Sequence, residues 1–507
     1  DQTDEDVIRS EISEYIVTKT ILSNFVEILE AYSQSPNKPS DRMAIWISGF
    51  FGSGKSSFAK LLGLAIANRQ LGPDTTSDLL AKHIGDPKVQ VLIKTVVEKI
   101  PTEAVIFDVA TERGVMHGNQ MLTEIMYRQL LEHLGYASDL DLAELEITLE
   151  EEGRLDEFKA TYKRLFPKKD WDKAKNLIAF AMNEASRVMH ELEPETFPSA
   201  DSWIRGAKER ADISPNHLAD RCKELTARRG ENRNLVFVID EVGQFVARTV
   251  NKMLDLQGIV QALGRVGLGK FWVVVTSQEK LNELVGGLDD SRVELARLMD
   301  RFPLQVHLEP NDISEVTSKR VLAKKADAEK QLAEVYETNR GSLTANTNLS
   351  ADIKLPQVAR ENFIDLYPML PYQVDFVIHV VSGLRTQGGA SRHVGGANRT
   401  VIKLAQQLLA HPKVGLGDQE LGHLVTVEHI YDLVRDNIDS TIREKIDRLP
   451  SEVDHPFAQK VAKSICLLQF VKSIHRNAEN IAATLYPRIG GDSARASVDQ
   501  ALQALLD

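Results

Sequence analysis

Gly49-Phe50-Phe51-Gly52-Ser53-Gly54-Lys55-Ser56 fits the pattern G-x-x-x-x-G-K-[ST] and follows directly on the apolar run Met43-Ala44-Ile45-Trp46-Ile47. A short buried strand, a glycine-rich turn and a helix, in that order, are the setting in which this pattern holds phosphate. Glycines let the backbone take positive φ and approach an anion closely. The N–H groups of the turn and of the first helical turn then point at phosphate oxygens. Lys55 brings a charge to the β- and γ-phosphates, and the hydroxyl of Ser56, which Ser57 follows, can ligate Mg²⁺. The stretch predicts a strand, a phosphate-binding turn over 49–56 with Ser57 beside it, and a helix from Ser57 to about Ala67. It implies an α/β fold that binds a nucleoside triphosphate. The plain alternative is a glycine-rich turn between strand and helix with no ligand.

A second motif weighs against that alternative. Leu235-Val236-Phe237-Val238-Ile239-Asp240-Glu241 reads as an apolar strand ending in two adjacent carboxylates. Asp240 is expected to hold Mg²⁺ through its water shell, and Glu241 to orient or deprotonate an attacking water. An Asp-Glu pair can also simply cap the helix after a strand. The strand Lys270-Phe271-Trp272-Val273-Val274-Val275-Thr276 runs into Thr276-Ser277-Gln278, where one of the three polar side chains, Thr276 being the one singled out, could touch a γ-phosphate or the attacking water, or merely close a strand-end turn. Arg301, in Leu298-Met299-Asp300-Arg301-Phe302-Pro303, reads as a finger aimed at a neighbouring subunit's nucleotide or as an ion-paired surface residue. Arg399 opens a helix after Gly395-Gly396-Ala397 and could reach phosphate from there, or lie on the surface.

Strand candidates at 104–109, 235–240, 270–276 and 304–308 alternate with helical patterns, which implies a parallel sheet covered on both faces. Asp240 stands 185 residues after Lys55, far more than one strand–helix–strand unit needs, so the helical stretch 113–230 reads as an insertion. The expected division is a nucleotide-binding base over 1–310, a helical lid over 311–412 and a helical, winged-helix-like segment over 413–507. Within the lid, the polar stretch 340–351 reads as a loop, the glycine run 388–396 as a mobile turn, and 398–409 as a helix. Beyond it, helices are expected at 426–448, 456–474, 477–485 and 493–506. Near the start, Tyr15-Ile16-Val17-Thr18 interrupts a helical pattern; these residues are expected either to line the adenine site or to pack on the core.

The 507 residues are 43% apolar and 26% charged, an ordinary globular composition with room for about three domains. No apolar run approaches the ~20 residues of a membrane span, and no signal-peptide pattern opens the chain, so a cytoplasmic protein is expected. Cys222 and Cys466 each stand without a CxxC partner, which argues against a cysteine zinc site. A net charge of −12 does not favour nucleic acid, so DNA contact would need a local basic patch. Lys460, Lys463, Lys472, His475, Arg476, Arg488 and Arg495 offer one in the last three helices; a plain helical bundle is the alternative. The absence of an initiator Met and an end inside a helical pattern suggest a piece of a longer polypeptide.

Two phosphate-site motifs, a polar strand end, an Arg-Phe before the fifth strand and a helical segment carrying Gly-x-x-Arg make an order that resembles the AAA+ ATPases. More narrowly, Glu14-Tyr15-Ile16-Val17-Thr18, the doubled Phe of Trp46-Ile47-Ser48-Gly49-Phe50-Phe51-Gly52-Ser53-Gly54-Lys55-Ser56, and Leu366-Tyr367-Pro368-Met369-Leu370-Pro371-Tyr372 resemble the large P-loop ATPase of bacterial BREX phage-defence systems, the BrxC/PglY family. The resemblance implies ATP and Mg²⁺ as ligands, ATP hydrolysis in the service of phage exclusion, and work alongside a DNA methyltransferase and other BREX proteins. Three functions stay open at this point. They are an oligomeric AAA+ ATPase that assembles or remodels a DNA-associated complex, a nucleotide-controlled scaffold with little turnover, and a DNA-binding protein whose P-loop is structural.

Overall fold

A computed structural model describes the chain except residues 1–3, 38–39, 42, 50–52, 112–119, 208–212, 231, 247–248, 279, 282–291, 309, 388–396 and 507. Side chains at 179, 207, 292–296, 310–312, 385–387 and 397–400 are outside the description as well.

Five strands, Ala44–Gly49 (β1), Thr102–Asp108 (β2), Asn234–Asp240 (β3), Phe271–Ser277 (β4) and Leu304–Leu308 (β5), form one sheet in the order β2-β3-β4-β1-β5. The β2/β3, β3/β4 and β4/β1 ladders are parallel. Every residue of β1 and β4 is buried, as are the first six of β3. That is why these segments read as unbroken apolar runs: both faces are covered, so no polar face alternates with the core face. Parallel register also aligns the carboxyl ends. Asp108 lies opposite Asp240, Ile239 opposite Val275, and Ser48 opposite Ser277.

The helix Lys55–Ala67 begins two residues before the position expected from its apolar pattern. Its cap, Gly54, has φ +87°, and its interior Gly63 lies flat on the sheet, where a Cβ would come within 2.8 Å of Val238. Between this helix and β2 stand a hairpin of two-residue strands, 70–71 with 74–75, and helices Thr76–Ile84 and Pro87–Lys99. The sequence reading contains none of these; the two-residue strands show no period.

Among the described residues, seven helices between Leu122 and Arg229 occupy the stretch expected to be helical. They share one core with the sheet: Leu130, Phe158, Trp171 and Leu218 belong to the same cluster as Val105, Phe107 and Phe237. Glu146, buried within it, accepts from the Ala137 N–H at 2.6 Å and the Trp171 indole at 2.7 Å and pairs with Lys175 at 3.1 Å, so the charge is compensated.

Contact density divides the chain into two compact units, one chiefly Ile21–Gly49 with Gly54–His307, the other chiefly Leu308–Asp507. The second unit has its own core, running from Ile313 to Ala501. Three expectations fail here. The stretch 340–351 is not a loop, because helix Ala326–Thr347 runs through most of it. Thr344, Asn346 and Thr347 turn back to the carbonyls of Arg340, Ser342 and Leu343 at 2.9, 3.0 and 2.6 Å, so polar side chains that read as loop are satisfied by the helix itself. The expected helix 426–448 is two, Val427–Val434 and Ser440–Glu452, because Asp439 caps the second by accepting from Thr441 N–H at 2.9 Å. The helix expected over 456–474 stops at Leu468.

The basic residues of the last helices are mostly paired. Lys460 and Lys463 meet Glu428 and Asp432, His475 meets Asp352, Arg488 meets Glu420, and Arg495 meets Glu479 and Asp499. Lys472 and Arg476 are exposed. The positive patch that the sequence suggests is therefore largely neutralised within its own unit. Among the described residues, no helix is long and apolar enough to cross a membrane.

Candidate functional site

β1 delivers its carboxyl end, Gly49, to the turn whose residues Phe50, Phe51 and Gly52 lie outside the described residues. Ser53 is buried, and its hydroxyl has no hydrogen-bond partner among the described residues. At Gly54 the left-handed backbone needs glycine, and among the described residues nothing lies within 4 Å of where a Cβ would stand. Lys55 follows as the first helical residue, 3% exposed, and Ser56 and Ser57 are exposed.

Parallel register brings the acid pair to this point from the far side of the helical block. The Lys55 ammonium lies 3.8 Å from Glu241 Oε1. The Ser56 hydroxyl donates to Asp240 Oδ1 at 3.0 Å. The Thr276 hydroxyl, from the neighbouring β4, donates to the same Asp240 oxygen and accepts the Glu241 N–H at 3.0 Å. Both capacities of the Thr276 hydroxyl are thus committed to the acid pair, so Thr276 positions Asp240 and Glu241. The side chain from this strand end that reaches the Glu241 carboxylate is Gln278, whose amide donates to Oε2 at 3.4 Å. Glu241 itself has φ +58°, an uncommon conformation for a residue with a Cβ.

Burial governs the titration of the two facing groups. It lowers the Lys55 pKa, against the nearby charges of Glu241 and Asp240, which raise it. It raises the Glu241 pKa; the Asp240 and Asp108 charges push the same way, while Lys55 and the Gln278 hydrogen bond oppose. Asp108 contributes through its register position opposite Asp240.

The structure therefore brings Lys55, Ser56, Asp240, Glu241 and Thr276 together. It also places Gln278, one of the three polar candidates at the strand end, and adds Asp108, to which sequence reasoning assigned no role. Gln278 was legible as one of three polar residues at the strand end; Asp108 carries no local signal, since its place depends on strand pairing. Arg301 is elsewhere. It pairs with Asp41 at 3.5 Å, before the start of β1 and so at the opposite end of that strand from the turn, while Phe302 packs edge-on against Trp46 at 5.3 Å. Arg399 belongs to helix Ala397–Ala410, with its side chain outside the described residues. Tyr15 caps helix Glu5–Glu14, is 9% exposed, and its carbonyl accepts from His83 Nε2 at 2.6 Å. The glycine run 388–396 lies outside the described residues.

A hydroxyl and a carboxylate oxygen 3.0 Å apart fit a hard divalent cation that brings water and phosphate as its remaining ligands, as Mg²⁺ does. Among the described residues, no group of three or more His, Cys, Asp or Glu forms a protein-only metal site. Burial pushes the Cys466 thiol up to about 11, and the Cys222 thiol higher still. The buried Lys55 ammonium, with a left-handed glycine beside it, can neutralise an anion, and an ionised carboxylate of the acid pair can accept a proton from water. Compared with models of known protein families, the chain matches none.

Proposed function

We propose that this chain binds ATP with Mg²⁺ and hydrolyses it, as an AAA+-type ATPase. The observation that carries this is the 3.8 Å approach of Lys55 to Glu241, which stands 186 positions later in the sequence. In the mechanism, Lys55 and the turn bind the β- and γ-phosphates, and the triphosphate replaces Glu241 as the counter-charge of Lys55. Ser56 and Asp240 are the residues that would hold Mg²⁺; when bound, the ion neutralises charge on phosphate oxygens. Glu241 accepts the proton of the water that attacks the γ-phosphorus, and ADP leaves. A carboxyl whose pKa is raised by burial is a stronger base than an ordinary glutamate and so suits this task. Thr276 and Gln278 orient it.

The finer reading adds a helical lid over 311–412 with Arg399, a finger role in trans for Arg301, and service to a phage-defence complex through the BREX-like motifs. Helices Pro310–Arg320, Ala326–Thr347, Pro371–Gln387 and Ala397–Ala410 are compatible with the first of these parts, and the sequence resemblance supports the last. The deciding experiment compares wild type, Lys55→Ala and Glu241→Gln by calorimetry with ATP and by phosphate release. Lys55→Ala is expected to lose both binding and turnover. Glu241→Gln is expected to keep ATP binding and to lose about 10²–10⁴ in turnover. Absence of binding heat with wild type, or full activity in Glu241→Gln, would overturn the proposal.

A further inference from the structure

Helix Pro371–Gln387 buries Val374, Val377 and Val380 in the core of the second unit. On another face, Tyr372, Asp375, Phe376 and His379 recur at positions i, i+3, i+4 and i+7 and so stand over one another. These four line a cavity of about 200 Å³, completed by Ile378, by Ile353 and Leu355 from the irregular strap after helix Ala326–Thr347, and by the turn around Ser473. The strap is tied down: Asp352 N–H donates to Ser473 O at 2.8 Å, Ser350 N–H to the Asn480 side chain at 2.8 Å, and Asn480 returns a bond to Ser350 O at 2.8 Å. The walls are thus built into the fold.

The lining is apolar apart from a few groups, of which Asp375 is the most exacting. It makes no hydrogen bond and no ion pair within 4 Å among the described residues; burial raises its pKa, and only the charge of His379 opposes. A carboxylate set in an apolar wall without a donor carries a desolvation cost that an incoming cation would relieve. The Tyr372 hydroxyl is buried nearby, and the Gln373 side chain that touches it is already committed to Leu370 N–H at 2.9 Å and Val425 O at 2.7 Å. The exposed lining residues are Ile353, at 52%, and His379. Cofactor and drug pockets run to about 300–1,000 Å³, so this volume suits a single side chain. A cation on an aliphatic stem matches both parts of the lining, the stem on the apolar wall and the head on the acid. A planar guanidinium is more weakly hydrated than an ammonium and can take a carboxylate with two parallel hydrogen bonds.

We propose that this cavity receives one arginine side chain of a partner protein, its methylenes against Ile353, Leu355 and Ile378 and its guanidinium on Asp375. The inference is independent of the nucleotide site. The test follows the isoleucine methyl signals of the full chain by NMR during titration with butylguanidinium and with its neutral isostere butylurea. Saturable shifts at Ile353, Ile378 and Ile474 are expected, with a dissociation constant of about 1–10 mM for so small a probe and at least tenfold weaker binding of butylurea. Asp375→Asn is expected to erase that difference. Ile353→Ser, at an exposed rim position, is expected to weaken butylguanidinium several-fold, and it decides the matter if Asp375→Asn fails to fold. Acetyl-Gly-Arg-Gly-amide should bind at least as well as butylguanidinium. Exclusion of that peptide would make the cavity a site for a free small cation and overturn the partner. Absent shifts, equal binding of butylurea, or selectivity that survives Asp375→Asn would overturn the site.

Discussion

Glu241 joins three constraints in one residue: it directly follows a buried strand, takes a left-handed φ, and carries a carboxylate that burial holds toward the neutral form. The left-handed backbone costs on the order of 1 kcal/mol or more, offset in part by the bond from its N–H to the Thr276 hydroxyl. The titration has a kinetic consequence. In the proposed hydrolysis Glu241 works ionised as general base, so activity would fall as pH drops through its pKa, which burial raises from the ordinary 4.5. The acid limb of kcat/KM, which reports the free protein, is expected above pH 4.5. The amide of Gln278 stabilises the ionised form, so Gln278→Leu should move that limb further up while leaving the alkaline side unchanged. A pH series of phosphate-release rates for the two proteins checks both position and sign.

At the scale of elements, the close fit of helix Val242–Val246 against β4 is decisive for the acid pair. A Cβ on Gly243 would overlap the Ser277 hydroxyl and stand 2.6 Å from Ser277 Cβ. Gly243→Ala is therefore expected to destabilise the protein by about 1–3 kcal/mol, and Ser277→Gly in the same chain to restore most of it, as read by urea denaturation. The elements that frame the site were legible because each carries its own local signal. Ala44–Gly49 and Phe271–Ser277 are apolar runs of strand length, and Gly54-Lys55-Ser56 names a turn. Other elements were not, and the reasons are physical. The two-residue strands at 70–75 are too short to show a period. Helix Ala326–Thr347 hides its end behind Thr and Asn residues that bond their own backbone. Asp439 caps a helix in the middle of a continuous helical pattern. The neutralised cations at Lys460 and Lys463, and the pairing of Arg495 with Glu479, depend on acids brought close by packing, and Asp108 joins the site only through strand register.

For the molecule as a whole, Arg301 poses a question of assembly. Its guanidinium rests on Asp41, at the other end of β1 from its own chain's phosphate turn. A half-exposed pair of this kind is worth about 0–1 kcal/mol and is easily exchanged. In the trans reading, Arg301→Ala should bind ATP normally and lose about 10³-fold in turnover. Mixing it with Lys55→Ala chains should recover activity, because each supplies what the other lacks, and the mass in solution should rise with ATP. Recovery absent at every mixing ratio would remove the finger. The sheet order carries a further consequence, for biosynthesis. Both lateral neighbours of the strand that feeds the phosphate turn are encoded late: Ser277 emerges 228 residues after Gly49, and β5 later still. At ribosomal speeds of 5–20 residues per second this is a delay of roughly 10–45 s. For that interval Ala44-Ile45-Trp46-Ile47 is a sticky ribbon with two unmatched edges, and the nascent chain is correspondingly a client for holding chaperones until its centre strand is clasped from both sides.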